Sequence, residues 1–160
     1  MAKTEKQITF DEIENNIYQF HLQQCRNELV AILTEIDEYL FENRDKELFR
    51  VCGHSQKTIN TVFGAVSYSR RRYEIGSEDG AIKSVALLDE VLSAKTIGTL
   101  TLCMAKKVSE LRNQGLSYKG ISEEIKDANG IDLTRQAIPG VLLSYKNYEK
   151  KVRNETNIRS

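Results

Sequence analysis

Apolar residues recur at three- and four-residue intervals along the first quarter of the chain: Phe10, Ile13, Ile17 and Phe20, then Leu29, Ile32, Leu33, Ile36 and Leu40. That interval predicts one amphipathic helix of about nine turns, with its stripe interrupted near Gln23–Arg26. Thr9 precedes the stripe and Glu12 follows three residues on, the pairing of a capping box, with Ile8 and Ile13 placed as a hydrophobic staple. The interruption favours a core-facing helix, and homo-oligomerisation through this helix is the alternative.

Further on the period changes from helical to alternating. "KTINTVF" and "VSYSRRRYEI" flank Gly64-Ala65, and a Gly-X pair between two such runs predicts a two-residue type II′ hairpin. That register pairs Phe63 with Val66, Thr61 with Tyr68 and Ile59 with Arg70. Ile59, Phe63, Val66 and Tyr68 then share one face, and Asn60, Ser67, Ser69 and Arg71 the other. The arginine run therefore ends a strand, with Arg71 facing away from Arg70 and Arg72. Arg70, Arg71 and Arg72 stay candidates for single contacts to a phosphate backbone.

The remainder reads as helices. "SVALLDEVLSAK" is a connecting segment with a short helix, and "TIGTLTLCMAKKVSELRNQG" a helix closed by Gly115 that carries Cys103 and Met104 toward a core. Ser117 caps a short helix stopped by Gly130. Thr134 caps a last helix with Ile138, Val141, Leu142 and Tyr145 on one face, and "KVRNETNIRS" reads as a frayed tail. The expected fold is mostly α with a small β-hairpin, an α+β arrangement. It divides into 1–86 (long helix and hairpin), 87–150 (a helix-turn-helix-like three-helix unit) and 151–160 (tail).

Charge refines this picture only locally. Lysine plus arginine and aspartate plus glutamate number 23 each. Yet Met1–Glu47 holds eleven acidic and five basic residues, while Leu48–Ile75 holds five basic and one acidic, and Leu111–Ser160 nine basic and six acidic. An acidic front with two basic islands suits a local polyanion site. In a helix-turn-helix the last helix offers its N-terminal side chains to the major groove, here Thr134, Arg135 and Gln136. Arginine and glutamine bond bidentately to guanine and adenine edges. Ser117, Tyr118 and Lys119 open the preceding helix, where amides and a lysine suit phosphate, and Lys146 adds a cation further along.

Other chemistry is sparse. His21, Cys25, Cys52 and His54 could supply four zinc ligands, but neither pair has finger or ribbon spacing. No phosphate-binding loop or nucleophile elbow is present, so no cofactor, metal or catalytic residue is expected. The chain shows no long apolar run and no leader pattern at Met1–Thr9. With three unpaired-looking cysteines it reads as cytoplasmic, with no membrane contact.

Four stretches, "NRDKELFR", "KTINTVFGAVSYSRRRYE", "LLDEVL" and "LSYKGISEEI", stand in the order and spacing of one bacterial family. From about Phe10 to Tyr145 the chain resembles the N-terminal region of ISLre-type insertion-sequence transposases, whose shorter relatives form an uncharacterised protein family. Thr58, Ile59, Thr61, Gly64, Val66, Tyr68, Arg70 and Tyr73 match its best motif. The resemblance implies a DNA-binding front followed by a ribonuclease-H-like domain with three metal-binding carboxylates. This chain is accordingly expected to be a truncated, non-catalytic DNA-binding portion whose partner is DNA, such as the element ends. The family is basic where this chain has Cys52 and His54. It has ordinary helix formers where this chain has Pro139-Gly140, so the last helix could instead begin at Pro139, leaving Arg135 and Gln136 in a loop.

Overall fold

The computed structural model describes residues 7–92 and 96–159. Residues 93–95, at the end of the connecting segment, and residues 1–6, within the stretch read for a leader, lie outside the described residues, as does Ser160.

Helix α1 (Phe10–Asn43) opens with the expected capping box: the Glu12 N–H donates to Thr9 Oγ1 and the Thr9 N–H to Glu12 Oε2, both at 3.2 Å. Its apolar stripe is two stripes. Leu29, Leu33, Ile36 and Leu40 pack with Tyr68 and Leu88 in a core, whereas Phe10, Ile13, Ile17, Phe20 and Ile32 are exposed, as is Ile8. With 3.6 residues per turn, Phe10–Phe20 and the buried set centre roughly 150° apart around the helix. The interruption near Gln23–Arg26 marks this change of side.

The expected hairpin is the middle of a larger sheet. Strands β1 (Arg50–Thr61), β2 (Gly64–Gly76), β3 (Ile82–Val85), β4 (Thr96–Ile97) and β5 (Leu100–Thr101) lie in the order β3-β2-β1-β5-β4. Neighbours are antiparallel except β1 and β5, which pair in parallel at Asn60 and Leu100. Thr96–Thr101 is placed by the sequence pattern at the start of a helix. It folds instead as a tiny hairpin turning at Gly98, whose φ is +59°, and Thr101 then caps α3 (Leu102–Asn113) through its bond from the Met104 N–H. Strands β4 and β5 are too short to show a period-2 pattern, so the pairing of β5 with β1 and of β4 with β5 decides their state.

The β1–β2 register also differs from expectation. Thr61 pairs with Gly64 and Ile59 with Val66, placing the turn at Val62-Phe63 rather than at Gly64-Ala65. Thr61 Oγ1 donates to the Gly64 carbonyl at 2.8 Å and accepts from the Phe63 N–H at 3.1 Å, closing the turn. The Phe63 carbonyl accepts from Arg26 of α1 at 2.6 Å. The Val62 carbonyl accepts from Asn129 at 2.8 Å, and Lys107 donates to Asn129 at 2.7 Å. Local turn chemistry pointed to glycine; these tertiary partners set the turn two residues earlier. Gly64 still has a positive φ, +116°.

The short helix α2 (Leu87–Leu92) buries Leu88. The C-terminal helices are α3, α4 (Tyr118–Asn129) and α5 (Ile138–Arg159). Leu100, Met104, Val108, Ile121, Ile125, Ile131 and Ile138 form their common core, with Val62 of the β1–β2 turn packed against it. Ser117 and Gly130 cap α4 as expected, Gly130 at φ +66°. Cys103, expected inside, is exposed, because α3 buries Met104, Ala105 and Val108. The expected tail is helical: α5 runs without a proline or glycine from Val141 to Arg159. The architecture is thus α+β, with five strands between a long helix and a helical unit. The expected boundary at 86/87 is crossed by the β1–β5 pairing, by Val62 and by the Asn129–Val62 bond. Among the described residues no helix is long and apolar enough to cross a membrane.

Candidate nucleic-acid interface

The three arginines of β2, Arg70–Arg72, are held within the fold by different elements. Arg70 donates to Ser55 at 3.2 Å and pairs with Asp89 of α2, to which Lys57 also lies within 3.8 Å. Arg71 turns to α1: its N–H and its Nη1 both donate to Asp37, at 3.2 and 2.8 Å, and its Nη2 to Glu38. Arg72 donates to the Ser84 side chain and carbonyl on β3. Burial pulls the Arg71 pKa down. The hydrogen bond and charge of Glu38, with the Asp37 carboxylate, more than offset that and leave it above its ordinary value. A guanidinium already satisfied by two carboxylates has little left for a phosphate.

The C-terminal candidates fall into two groups. Ser117 caps α4, its Oγ accepting from the Gly120 N–H at 3.1 Å. Tyr118 lies under the Arg112 guanidinium at 4.7 Å, and Lys119 reaches Glu123 one turn on at 3.9 Å. The α3–α4 connection, residues 114–117, is a four-residue turn with Gly115 at φ +92°, the dimensions of a helix-turn-helix corner. The α4–α5 connection is longer, residues 130–137. Ser122 of α4 fixes it by donating to the Leu133 carbonyl at 2.6 Å.

That longer connection corrects the last helix. Thr134 accepts from the Ala137 N–H through both its carbonyl and its side chain, so it caps a turn over residues 135–137 and not the helix. Regular α5 starts at Ile138 and Pro139 sits in its first turn, where a missing N–H breaks no helix bond. Arg135 and Gln136 are therefore exposed turn residues ahead of the helix. Thr134 also borders a groove lined by Glu123, Asp127 and Asp132, with Lys126 paired to Asp132 at 2.8 Å, which leaves Glu123 and Asp127 as a mildly acidic flank.

The larger basic surface lies further along α5. Lys146, Lys150 and Arg153 are spaced i, i+4, i+7 and share one exposed face, whereas Lys151 points to another side, toward Thr96 and Ile97. None of these four, nor Arg135, takes an ion pair or hydrogen bond among the described residues. Tyr145 anchors the opposite side of the helix. Burial, then the nearby Glu149, raises its pKa and keeps the phenol neutral. Lys150 and Arg153 were not singled out from the sequence, although "KNYEKKVRN" carries the spacing once it is read as helix.

A family model matches residues 3–157, nearly the whole chain, under the description uncharacterised protein family (UPF0236). The chain belongs to UPF0236. No curated protein matches it. The UPF0236 description carries no activity, so the reading of the site rests on its geometry. Among the described residues no group of three or more His, Cys, Asp or Glu side chains is placed to hold a metal ion.

Proposed function

We propose that this UPF0236 chain is a non-catalytic, transposase-like DNA-binding module that grips the DNA backbone through its C-terminal helical unit. The observation that carries the reading is the contrast between the two basic islands. The hairpin arginines are consumed by Asp37, Glu38, Asp89 and Ser84, whereas Lys146, Lys150 and Arg153 form a stripe without partners among the described residues, on a helix packed into a three-helix core. Unpaired cations spaced about one turn apart match successive phosphates, and their binding releases counterions. The likeness of its motifs to ISLre-type transposases supports the same class of partner.

The test is fluorescence anisotropy on a duplex across a salt series. Three phosphate contacts give a log–log slope near roughly −2.7, at about −0.9 for each. The variant K146A/K150A/R153A should lose most of that slope, while Arg72→Ala should leave affinity within about twofold. Arg135→Ala should weaken all sequences alike, because a turn residue ahead of the helix is placed for phosphate rather than for base edges. Unchanged binding by the triple variant would sink the proposed surface. No binding by the full chain at low salt would favour a helical interaction module without DNA.

A further inference from the structure

Among the described residues the outward stripe of α1 is a contiguous apolar feature left without a partner. Phe10 is 83 % exposed, Ile13 44 %, Ile17 54 % and Phe20 60 %. Solvating four large side chains along three turns is unfavourable, and single exposed residues are normal where such a contiguous stripe is not. The chain's own core cannot cover it. The side of α1 that meets the body at this level carries Gln19, Leu22 and Arg26, which line a cleft with Gly64 and the end of α4. The stripe lies on the other side, away from the sheet.

Its spacing selects the occupant. Residues 10, 13, 17 and 20 repeat as 3-4-3, the seam of a two-stranded coiled coil, with Phe10 and Ile17 at a and Ile13 and Phe20 at d. The flanking e and g positions are then Thr9, Glu14, Asn16, His21 and Gln23, nearly uncharged. Asp11 and Glu12 fall at b and c, outside the seam. No lysine or arginine occurs from Gln7 to Cys25, so an anionic membrane surface or a nucleic acid would be repelled by the acidic first turns. We propose that this half of α1 pairs in parallel with the same segment of a second copy of the chain.

The parallel direction follows from charge. In parallel register Thr9 faces the partner's Glu14 and Asn16 the partner's His21, with no like-charge contact. An antiparallel pair that matched Ile13 with the partner's Ile17 would set Glu14 beside the partner's Glu14 near the twofold axis. Parallel pairing is isologous and closes as a dimer. The interface shares no residue with the proposed DNA-binding surface, so the two inferences stand or fall separately.

Sedimentation velocity without DNA, from roughly 1 μM to roughly 1 mM, tests it. The full chain should pass from one to two chain masses. Ile13→Asp and Ile17→Asp should each raise the dissociation constant more than about tenfold, since a carboxylate would be buried in the seam. Their far-UV circular dichroism at low concentration should match wild type, because both side chains are exposed in the single chain. With the three native cysteines replaced by serine, Ile13→Cys and Ile17→Cys should each cross-link to themselves under mild oxidation. A chain that stays monomeric throughout, or a dimer indifferent to both aspartates, overturns the proposal. Cross-linking only between mixed Ile13→Cys and Ile17→Cys chains overturns the parallel arrangement.

Discussion

Gly64→Val is expected to destabilise the fold by about 3 kcal/mol or more, which lowers the melting temperature of a chain this size by roughly 6–12 °C. Two effects add at this residue. Its φ of +116° is a conformation that β-branched residues reach only at a cost of about 1–3 kcal/mol. A Cβ there would also lie 3.1 Å from the Arg26 Nη1 and 3.3 Å from the Asn129 carbonyl oxygen. Arg26 and Asn129 hold the carbonyls of the β1–β2 turn, so pushing them away exposes buried acceptors worth about 1–3 kcal/mol. Gly98→Ala is the control: φ is +59° but no atom lies within 4 Å of its added Cβ, so only backbone strain of about 1 kcal/mol applies. Thermal melts of the two variants separate the effects. A Gly64→Val protein that melts no lower than Gly98→Ala would show that the turn is not clamped by α1 and α4.

Gly64 also shows how far the sequence could be read. Its need for positive φ was legible from the residue type and the flanking alternation. Its place one step beyond the turn was not, because Arg26 and Asn129 lie dozens of positions away and no local pattern announces them. The same division runs through the fold. Capping signals at Thr9, Ser117 and Gly130 act within one helical turn and were read correctly. Strands of two residues at Thr96–Ile97 and Leu100–Thr101 owe their existence to β1 and could not be. In α1, spacing alone could not tell a core-facing stripe from an outward one. The two halves have the same period, and the change of side at Gln23–Arg26 becomes visible only once one half is seen packed against Tyr68 and Leu88.

The candidate site divides for electrostatic reasons. Counting charges by segment marked both basic islands, but a count cannot say which cations are already neutralised. Arg70 and Arg71 meet carboxylates supplied by α2 and α1, elements that follow and precede them in the chain, while Arg72 bonds to Ser84. The full α5 stripe was not legible because the final ten residues read as tail. Nothing in their composition forbids helix, and extending α5 past Lys150 brings Arg153 onto the face of Lys146 and Lys150. The surface proposed for DNA therefore moved from the start of the last helix to its middle.

Asp37→Ala is the second substitution expected to have a large effect, at about 3 kcal/mol. Asp37 is 6 % exposed and accepts from both the Arg71 N–H and its guanidinium, tying the last turns of α1 to β2. Removing it strands a backbone donor and leaves a guanidinium of which about a fifth is exposed with Glu38 alone. Glu38 is half exposed, so Glu38→Ala should cost less than about 1 kcal/mol. The two variants differ by one position and one carboxylate each, and chemical denaturation should rank them clearly. The double variant D37A/R71M decides the cause. If the loss in Asp37→Ala comes mainly from an orphaned charge, replacing that charge with an apolar side chain against Phe41, whose ring lies 4.4 Å from the guanidinium, should recover part of the stability. If the double variant is less stable than Asp37→Ala, the ion pair is secondary, and the contact between α1 and β2 depends instead on the packing of the Arg71 stem over Phe41.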